Sequence, residues 1–322
     1  MSVAWRRSRF INALCCYGNY ALSRFGLVHI SHAPLFISVE PASVCQLHCP
    51  ECPVGNGAKA TGKKVAPYMS RDVWQRVLAE VAPYAWVMQF YFQGEPLLHP
   101  DLPQMISDAH KEGLYTIVST NAQAMTEELA EALVRAGLDR IIVSMDGLTE
   151  ESYSAYRVGG QLAQCKKALR WLREAKERLK GRMVIELQCL RLRTNEQEWK
   201  AFEQQYKALG ADRLVFKTAQ LYHYESGHPL MPTDNRYSRY ARGKDGRYHR
   251  KPLRKGCWRA WSGAVVTTTG EVLPCCYDKE RAFAYGNILS TPLRELYSNQ
   301  QSIAFRRAAI QEQPTICQEC NQ

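Results

Sequence analysis

No apolar run in this 322-residue chain approaches the roughly 18–20 residues that cross a bilayer. It has no internal repeat and no low-complexity segment, so solenoids and disordered tails are excluded. An export signal is missing too. The basic start, MSVAWRRSRFINALCCYGNYALSRF, has its apolar residues interrupted by Asn12, Tyr17 and Asn19 and lacks a small-residue cleavage site. Acid is scarce in two stretches. Residues 1–34 hold four arginines and no Asp or Glu, and residues 235–260 hold ten Lys or Arg against one Asp. These two stretches carry all of the net charge of +11, and the remaining body is close to neutral. A basic segment of this kind favours an anionic partner (phosphate, acidic peptide or nucleic acid) or is a solvated loop. The first 34 residues read as an amphipathic helix covering the main domain, with a membrane-surface or partner-binding helix as the alternative.

What the chain has in quantity is cysteine: 12 of them. Without an export signal, that number argues against a disulfide framework and for metal or redox use in the reducing cytoplasm. The three thiols of CQLHCPEC, Cys45, Cys49 and Cys52, stand on a loop after a predicted strand. A structural zinc site brings two pairs of ligands, whereas here there is a triplet with only His48 nearby. A [4Fe–4S] cube takes four thiolates, so three leave one iron open to bind a substrate or cofactor.

Strand-like runs alternate with helical patterns. LFISVE (35–40), WVMQFYFQ (86–93), YTIVST (115–120), RIIVSMD (140–146), MVIELQCLRL (183–192) and RLVFKTAQL (213–221) read as strands. Helices are predicted between them, the first capped by Ser70 and the next two starting at Asp101 and Thr126. Such an α/β series builds a parallel sheet, either doubly wound or part of a (β/α) barrel, whose chemistry sits at the C-terminal strand ends. QGEP (93–96), STNA (119–122) and SMDG (144–147) fall there. After residue 222 the pattern breaks into a basic stretch. A hairpin turning near Gly270 follows, then a helix with Thr291 as cap and Pro292 at its first position, and CQEC closes the chain.

C-x3-C-x2-C after the first strand, GEP after the second and DG after the fourth resemble the radical S-adenosylmethionine (SAM) superfamily over residues 35–222. The resemblance implies a partial (β/α)6 TIM-like barrel. It implies that Cys45, Cys49 and Cys52 hold a [4Fe–4S] cluster whose open iron SAM chelates. One electron then cleaves SAM to a 5′-deoxyadenosyl radical that abstracts a substrate hydrogen. On the same basis Gly94 gives close backbone approach and Glu95 accepts from the SAM ammonium. Ser119, Asn121, Ser144 and Asp146 serve the ribose hydroxyls or carboxylate, and Arg157 pairs with the SAM carboxylate. Glu51 departs from the family, which often has an aromatic residue before the third cysteine.

The C-terminal set resembles the shortened SPASM module called twitch, a small β-hairpin-plus-helix unit. By that resemblance Cys257, Cys275, Cys317 and Cys320 hold an auxiliary [4Fe–4S] cluster, with zinc as the alternative occupant. Cys276, neighbouring Cys275 on a strand, points to the other face and is spare, unless the two exchange roles. A second auxiliary cluster would need more cysteines than follow. Cys15, Cys16, Cys165 and Cys189 read as buried and unreactive. The parse is a basic extension (1–34), the core domain (35–222), a basic linker (223–256) and the auxiliary domain (257–322).

The expected function is radical oxidation of a small polyol or sugar-like substrate, with the auxiliary cluster as electron acceptor and flavodoxin or ferredoxin as reductant. Asp278 is a candidate base, and Tyr91, Gln93, Lys217 and Gln220 are candidate substrate contacts. Ribosomal peptide maturation is the alternative, placed second because 1–34 is too short for a winged-helix leader-binding domain. RNA modification, suggested by Tyr237, Tyr240, Tyr248 and Trp258 among the basic residues, comes third. A zinc-stabilised binding protein comes last.

Overall fold

The computed structural model describes residues 3–57, 65–251, 257–311, 314–318 and 320. Part of the basic linker, residues 252–256, lies outside them. Six parallel strands carry the core: β1 (Phe36–Val39), β2 (Val87–Phe90), β3 (Tyr115–Thr120), β4 (Arg140–Ser144), β5 (Val184–Arg191) and β6 (Arg213–Thr218). Their order in the sheet is the order in the chain. A doubly wound sheet reverses strand order at a switch point, and this one does not, so the architecture is the partial barrel.

The helices are α1 (Val3–Ser23), α2 (Arg71–Val81), α3 (Leu102–Lys111), α4 (Glu127–Arg135), α5 (Glu150–Ser154), α6 (Leu162–Arg178) and α7 (Trp199–Gln205) within residues 3–222. Ser70 caps as expected, accepting from Val73 N, and Thr126 caps too, accepting from Leu129 N, whereas Asp101 makes no side-chain cap bond. The helical stretch after β4 is broken between α5 and α6, where Tyr156–Gly160 turns beneath the cysteine loop: His48 N donates to Val158 O at 2.9 Å.

Beyond the barrel come a hairpin of β7 (Tyr240–Arg242) and β8 (Tyr248–Arg250), then α8 (Trp258–Ser262), β9 (Gly263–Val266), β10 (Glu271–Leu273), β11 (Gly286–Asn287), α9 (Leu293–Ser298), α10 (Gln300–Gln311) and α11 (Thr315–Gln318). The predicted hairpin turn at Gly270 is present, with φ +85°. β9 pairs in parallel with β1, so the C-terminal hairpin extends the main sheet to nine strands. Pro292, not Thr291, is the cap of α9, and Asn299 separates α9 from α10.

The two faces of the barrel strands differ. One face, with Ile37, Met88, Phe90, Val118, Ile141 and Ile185, packs on the helices in the main apolar core. The alternate residues, among them Ser38, Gln89, Ser119, Arg140, Ser144, Glu186 and Arg213, face the other way, because side chains alternate along a strand. Ser38 donates to Gln89 Oε1 at 2.9 Å, and buried Glu186 accepts from Arg140 at 2.6 Å and also pairs with Arg213. The interior of the barrel is thus polar.

Candidate active site

The cysteine loop leaves β1 and is tied to its neighbours by backbone bonds. Glu95 N donates to Val44 O at 2.9 Å and Ser43 N to Pro67 O at 3.0 Å. Gly94 passes so close to Ala42 that a Cβ would collide with the Ala42 carbonyl oxygen, and only glycine fits.

Glu95 is buried, and its carboxylate accepts from Thr120 Oγ1 at 2.6 Å, Asn121 N at 2.8 Å and Leu97 N at 3.1 Å. Burial pushes its pKa up, and these three bonds pull it back. A carboxylate offers about four acceptor positions, so Glu95 braces β3 against the loop with three of them and keeps one for a further donor. Asn121 is engaged likewise. Its Nδ2 donates to Cys45 Sγ at 3.4 Å, and its Oδ1 accepts from Gln46 Nε2 at 3.2 Å and Gln123 N at 2.9 Å. Ala122, next in the chain, is buried at φ +62°, a left-handed conformation that an alanine holds only where its surroundings impose it.

Asp146 does not cap a helix. It is wholly buried and accepts from Arg157 Nε at 2.6 Å and Leu190 N at 2.6 Å. Arg157, expected on the SAM carboxylate, has Asp146 as its partner and also hydrogen-bonds the Cys49 thiol. Ser119 and Ser144 make no side-chain hydrogen bond to any described residue, so their hydroxyls are open to a ligand.

Cys45, Cys49 and Cys52 lie within electrostatic reach of one another. Burial pushes the Cys45 thiol up to about 11, while its sulfur accepts from Leu47 N at 3.4 Å. Burial raises Cys49 also, against the pull of Arg157. The three thiols belong to a small apolar cluster with Leu47, Tyr156, Leu230 and Tyr240 at the barrel mouth. Among the described residues no three His, Cys, Asp or Glu side chains close on one point as the shell of a single metal ion. A four-iron cube spaces its thiolates more widely than one ion does. Thiols on a loop with N–H groups aimed at sulfur in an apolar shell suit such a cluster.

Cys275 is within reach of Cys257 and Cys320, and Cys317 of the same two. Cys276 is within reach of Cys257 and Cys275 and also of Tyr91, which follows β2. A cavity of about 580 Å³ is lined by Cys257, Cys275, Cys276, Ser38, Gln89 and Arg259, so there is room for a cluster beside these thiols. Cys16, Cys165 and Cys189 are buried and Cys15 is half-buried.

Asp278 is wholly buried, and its carboxylate accepts from Ala282 N at 2.8 Å and Phe283 N at 2.9 Å. It holds the turn after β10. Lys279, which the sequence did not single out, reaches the mouth. Its Nζ approaches Tyr222 Oη at 3.2 Å and Gln220 Oε1 at 3.4 Å, and its carbonyl accepts from Gln93 Nε2 at 2.9 Å. Lys217 is exposed. Glu51 accepts from Tyr222 N at 2.6 Å and pairs with His228 at 3.3 Å, so the residue at the atypical position ties the loop to the segment after β6. In that segment Tyr240 is buried and stacks on Tyr224 at 4.0 Å, Tyr237 packs on Trp199, and Trp258 stacks on Tyr17 at 4.7 Å. Tyr240 is taken up by packing, while Tyr237 and Trp258 pack on neighbouring rings and stay half-exposed.

Two family models match this chain: the radical SAM superfamily over residues 39–186 and the SPASM iron–sulfur cluster-binding domain over residues 257–321, together about two thirds of its length. The chain belongs to the radical SAM superfamily. It is therefore an enzyme whose core domain takes a [4Fe–4S] cluster and SAM and whose SPASM domain takes auxiliary iron–sulfur. It is 34% identical over 206 residues to PqqA peptide cyclase of Rhodopseudomonas palustris, covering 62% of this chain and 51% of that one. The chain thus spans about half the length of that relative. PqqA peptide cyclase of Streptomyces rochei is 25% identical over 315 residues, covering 89% of this chain and 82% of the relative. Among solved structures, Streptococcus suis SuiB bound to precursor peptide SuiA superposes with a TM-score of 0.65 at 13% identity, covering 89% and 69%, a likeness of fold. Among the described residues no helix is long and apolar enough to cross a membrane.

Proposed function

We propose that this protein is a peptide-modifying radical SAM enzyme with two clusters, the first held by Cys45, Cys49 and Cys52 and the auxiliary one by Cys257, Cys275, Cys317 and Cys320. The observation that carries the peptide substrate is the similarity to a PqqA peptide cyclase along 315 residues, most of both chains. It puts a peptide ahead of the small polyol that the sequence alone ranked first. When bound, SAM and its cluster supply hydrogen-atom abstraction from carbon, and the auxiliary cluster takes up or relays an electron. A flavodoxin- or ferredoxin-type protein is the reductant.

The chain's own residues divide the remaining work. Ser119 and Ser144 present open hydroxyls to SAM at the strand ends. Arg157, neutralised by Asp146, holds positive charge against Cys49 and favours its thiolate. Lys279, with Gln93 and Gln220, offers donors at the mouth to a peptide backbone or side chain. The apolar cluster around the loop buries Cys49 and partly covers Cys45 and Cys52.

The test is anaerobic reconstitution with iron, sulfide, SAM and dithionite, with synthetic peptides encoded beside the gene as substrates. Mass spectrometry is expected to show a peptide lighter by two hydrogens, formed together with 5′-deoxyadenosine, and neither product with Cys45→Ala. Oxidation of an aminocyclitol with every peptide left intact overturns the peptide reading. No 5′-deoxyadenosine with any substrate overturns the catalytic one.

A further inference from the structure

The polarity of α1 is inside out. Its inner face is polar and buried. Arg9 donates to the carbonyl oxygens of Ala82 (2.6 Å), Gly113 (2.8 Å) and Glu112 (2.9 Å), at the C-terminal ends of α2 and α3. Asn12 exchanges hydrogen bonds with the backbone of Ala33, and Asn19 contacts His32 at 2.8 Å. Carbonyls at a helix C-terminus are unsatisfied and carry partial negative charge, so a guanidinium is a natural peg there. The residues α1 turns to solvent are the apolar ones. Phe10, Ile11, Leu14 and Leu22 recur at helical spacing, Phe25 and Leu27 extend the stripe, and Tyr17 borders it with one ring face stacked on Trp258. Phe10, Leu14, Tyr17 and Phe25 are each more than half exposed. Those bonds, with Cys16 in the core and Tyr20 against Trp258 and Trp261, fix α1 in place and leave the stripe around Phe10, Ile11 and Leu14 uncovered.

We infer that this outer face seats the enzyme on an anionic lipid surface. Charge selects that occupant. The stripe is bounded by exposed Arg7 at one end and exposed Arg24 at the other, and residues 1–34 contain no acid, so the patch repels cationic surfaces and attracts phosphate headgroups. Its shape agrees, since a convex helical ridge enters a fluid interface without needing a matching groove. The helix is not apolar enough to span, so it lies on the surface. Its placement agrees too. α1 crosses the segments that lead into β1, β2 and β3, at the end of the barrel opposite the cysteine loop, so a seated enzyme keeps its mouth toward water.

The test is co-sedimentation of the full-length holoenzyme, kept anaerobic, with vesicles of phosphatidylcholine alone or mixed with phosphatidylglycerol. Binding is expected only to the mixed vesicles, weakening as salt rises. Arg7→Gln is expected to weaken it about fivefold, the equivalent of one surface arginine. Phe10→Glu with Leu14→Glu is expected to abolish it while leaving melting temperature and 5′-deoxyadenosine formation unchanged. If that double variant fails to fold, Leu14→Ser decides, with a several-fold loss expected. Absence of binding to the mixed vesicles at low salt overturns the inference. So does a dimer in free solution that Leu14→Ser converts to monomer, which makes the face a subunit contact.

Discussion

The Asp146–Arg157 pair gives the sharpest check on the site. Asp146 has no solvent exposure and the Arg157 side chain 15%, and the two meet at 2.6 Å beside Cys49. Replacing Asp146 by Leu leaves a guanidinium in an apolar setting and strips Leu190 N of its acceptor. Removing one member of a buried pair destabilises by about 3–5 kcal/mol, because the remaining charge keeps its desolvation penalty without its partner. A large domain shifts by roughly 2 °C per kcal/mol, so the expected fall in melting temperature is about 6–10 °C. Thermal unfolding of the reduced apoprotein, followed by circular dichroism, measures it. The double variant Asp146→Leu, Arg157→Met removes both charges and is expected to recover most of the loss. Glu131→Ala, which breaks a solvent-exposed pair with Arg178, is the control and is expected to leave the melting temperature unchanged. A fall below about 2 °C for Asp146→Leu, or a double variant no better than the single, would refute the picture of a desolvated pair.

Gly94→Ala is expected to prevent cluster assembly, because its Cβ meets the Ala42 backbone; iron content near zero after reconstitution checks it, and normal iron defeats it. Cys275→Ser is expected to lose about four irons per chain and Cys276→Ser none; equal loss in both contradicts the assignment of the two thiols. Burial pushes the Glu40 carboxyl up to about 7, against the pull of Arg281. A raised carboxyl favours the folded state below its ordinary pKa and loses that contribution as pH rises through 7. Wild-type stability should therefore fall relative to Glu40→Gln between about pH 5 and 8, by up to about 3 kcal/mol; a flat difference in urea unfolding shows that Glu40 is solvated.

The barrel was legible because its strands alternate with helical patterns and each motif falls at a strand exit. The (β/α) count, the Ser70 and Thr126 caps and the Gly270 turn all follow from local rules. What was hidden depends on partners distant in sequence. Nothing near Glu40 shows that β9 will pair with β1 and bring Thr268 N to its carboxylate. Lys279 is one basic residue among many until the hairpin carries it to Gln220 and Tyr222. Arg140, Glu186 and Arg213 did leave a signal: charged residues set at alternate positions among apolar ones mark an inward polar face. α1 misled for the opposite reason. Its apolar stripe implied a face turned to the core, but the free carbonyls at the ends of α2 and α3 took Arg9, and the segment leading into β1 took Asn12 and Asn19.

Most residues that the family resemblance assigns to SAM are bonded to one another here. Glu95 holds Asn121, Asn121 holds Cys45, Asp146 holds Arg157, and Arg157 holds Cys49. Each reaches one of the loop thiols through at most one intermediary. The two systems are separate: one runs from β2 through β3 to the first cysteine, the other from β4 through the Tyr156–Gly160 turn to the second. Cys52 has neither. Its support is the backbone bond to Cys49 O and, through adjacent Glu51, the segment after β6. The loop at the third thiol is thus tied to the segment after β6, so the stretch around Tyr222 and His228 braces the thiol loop as well as bordering the entrance to the site.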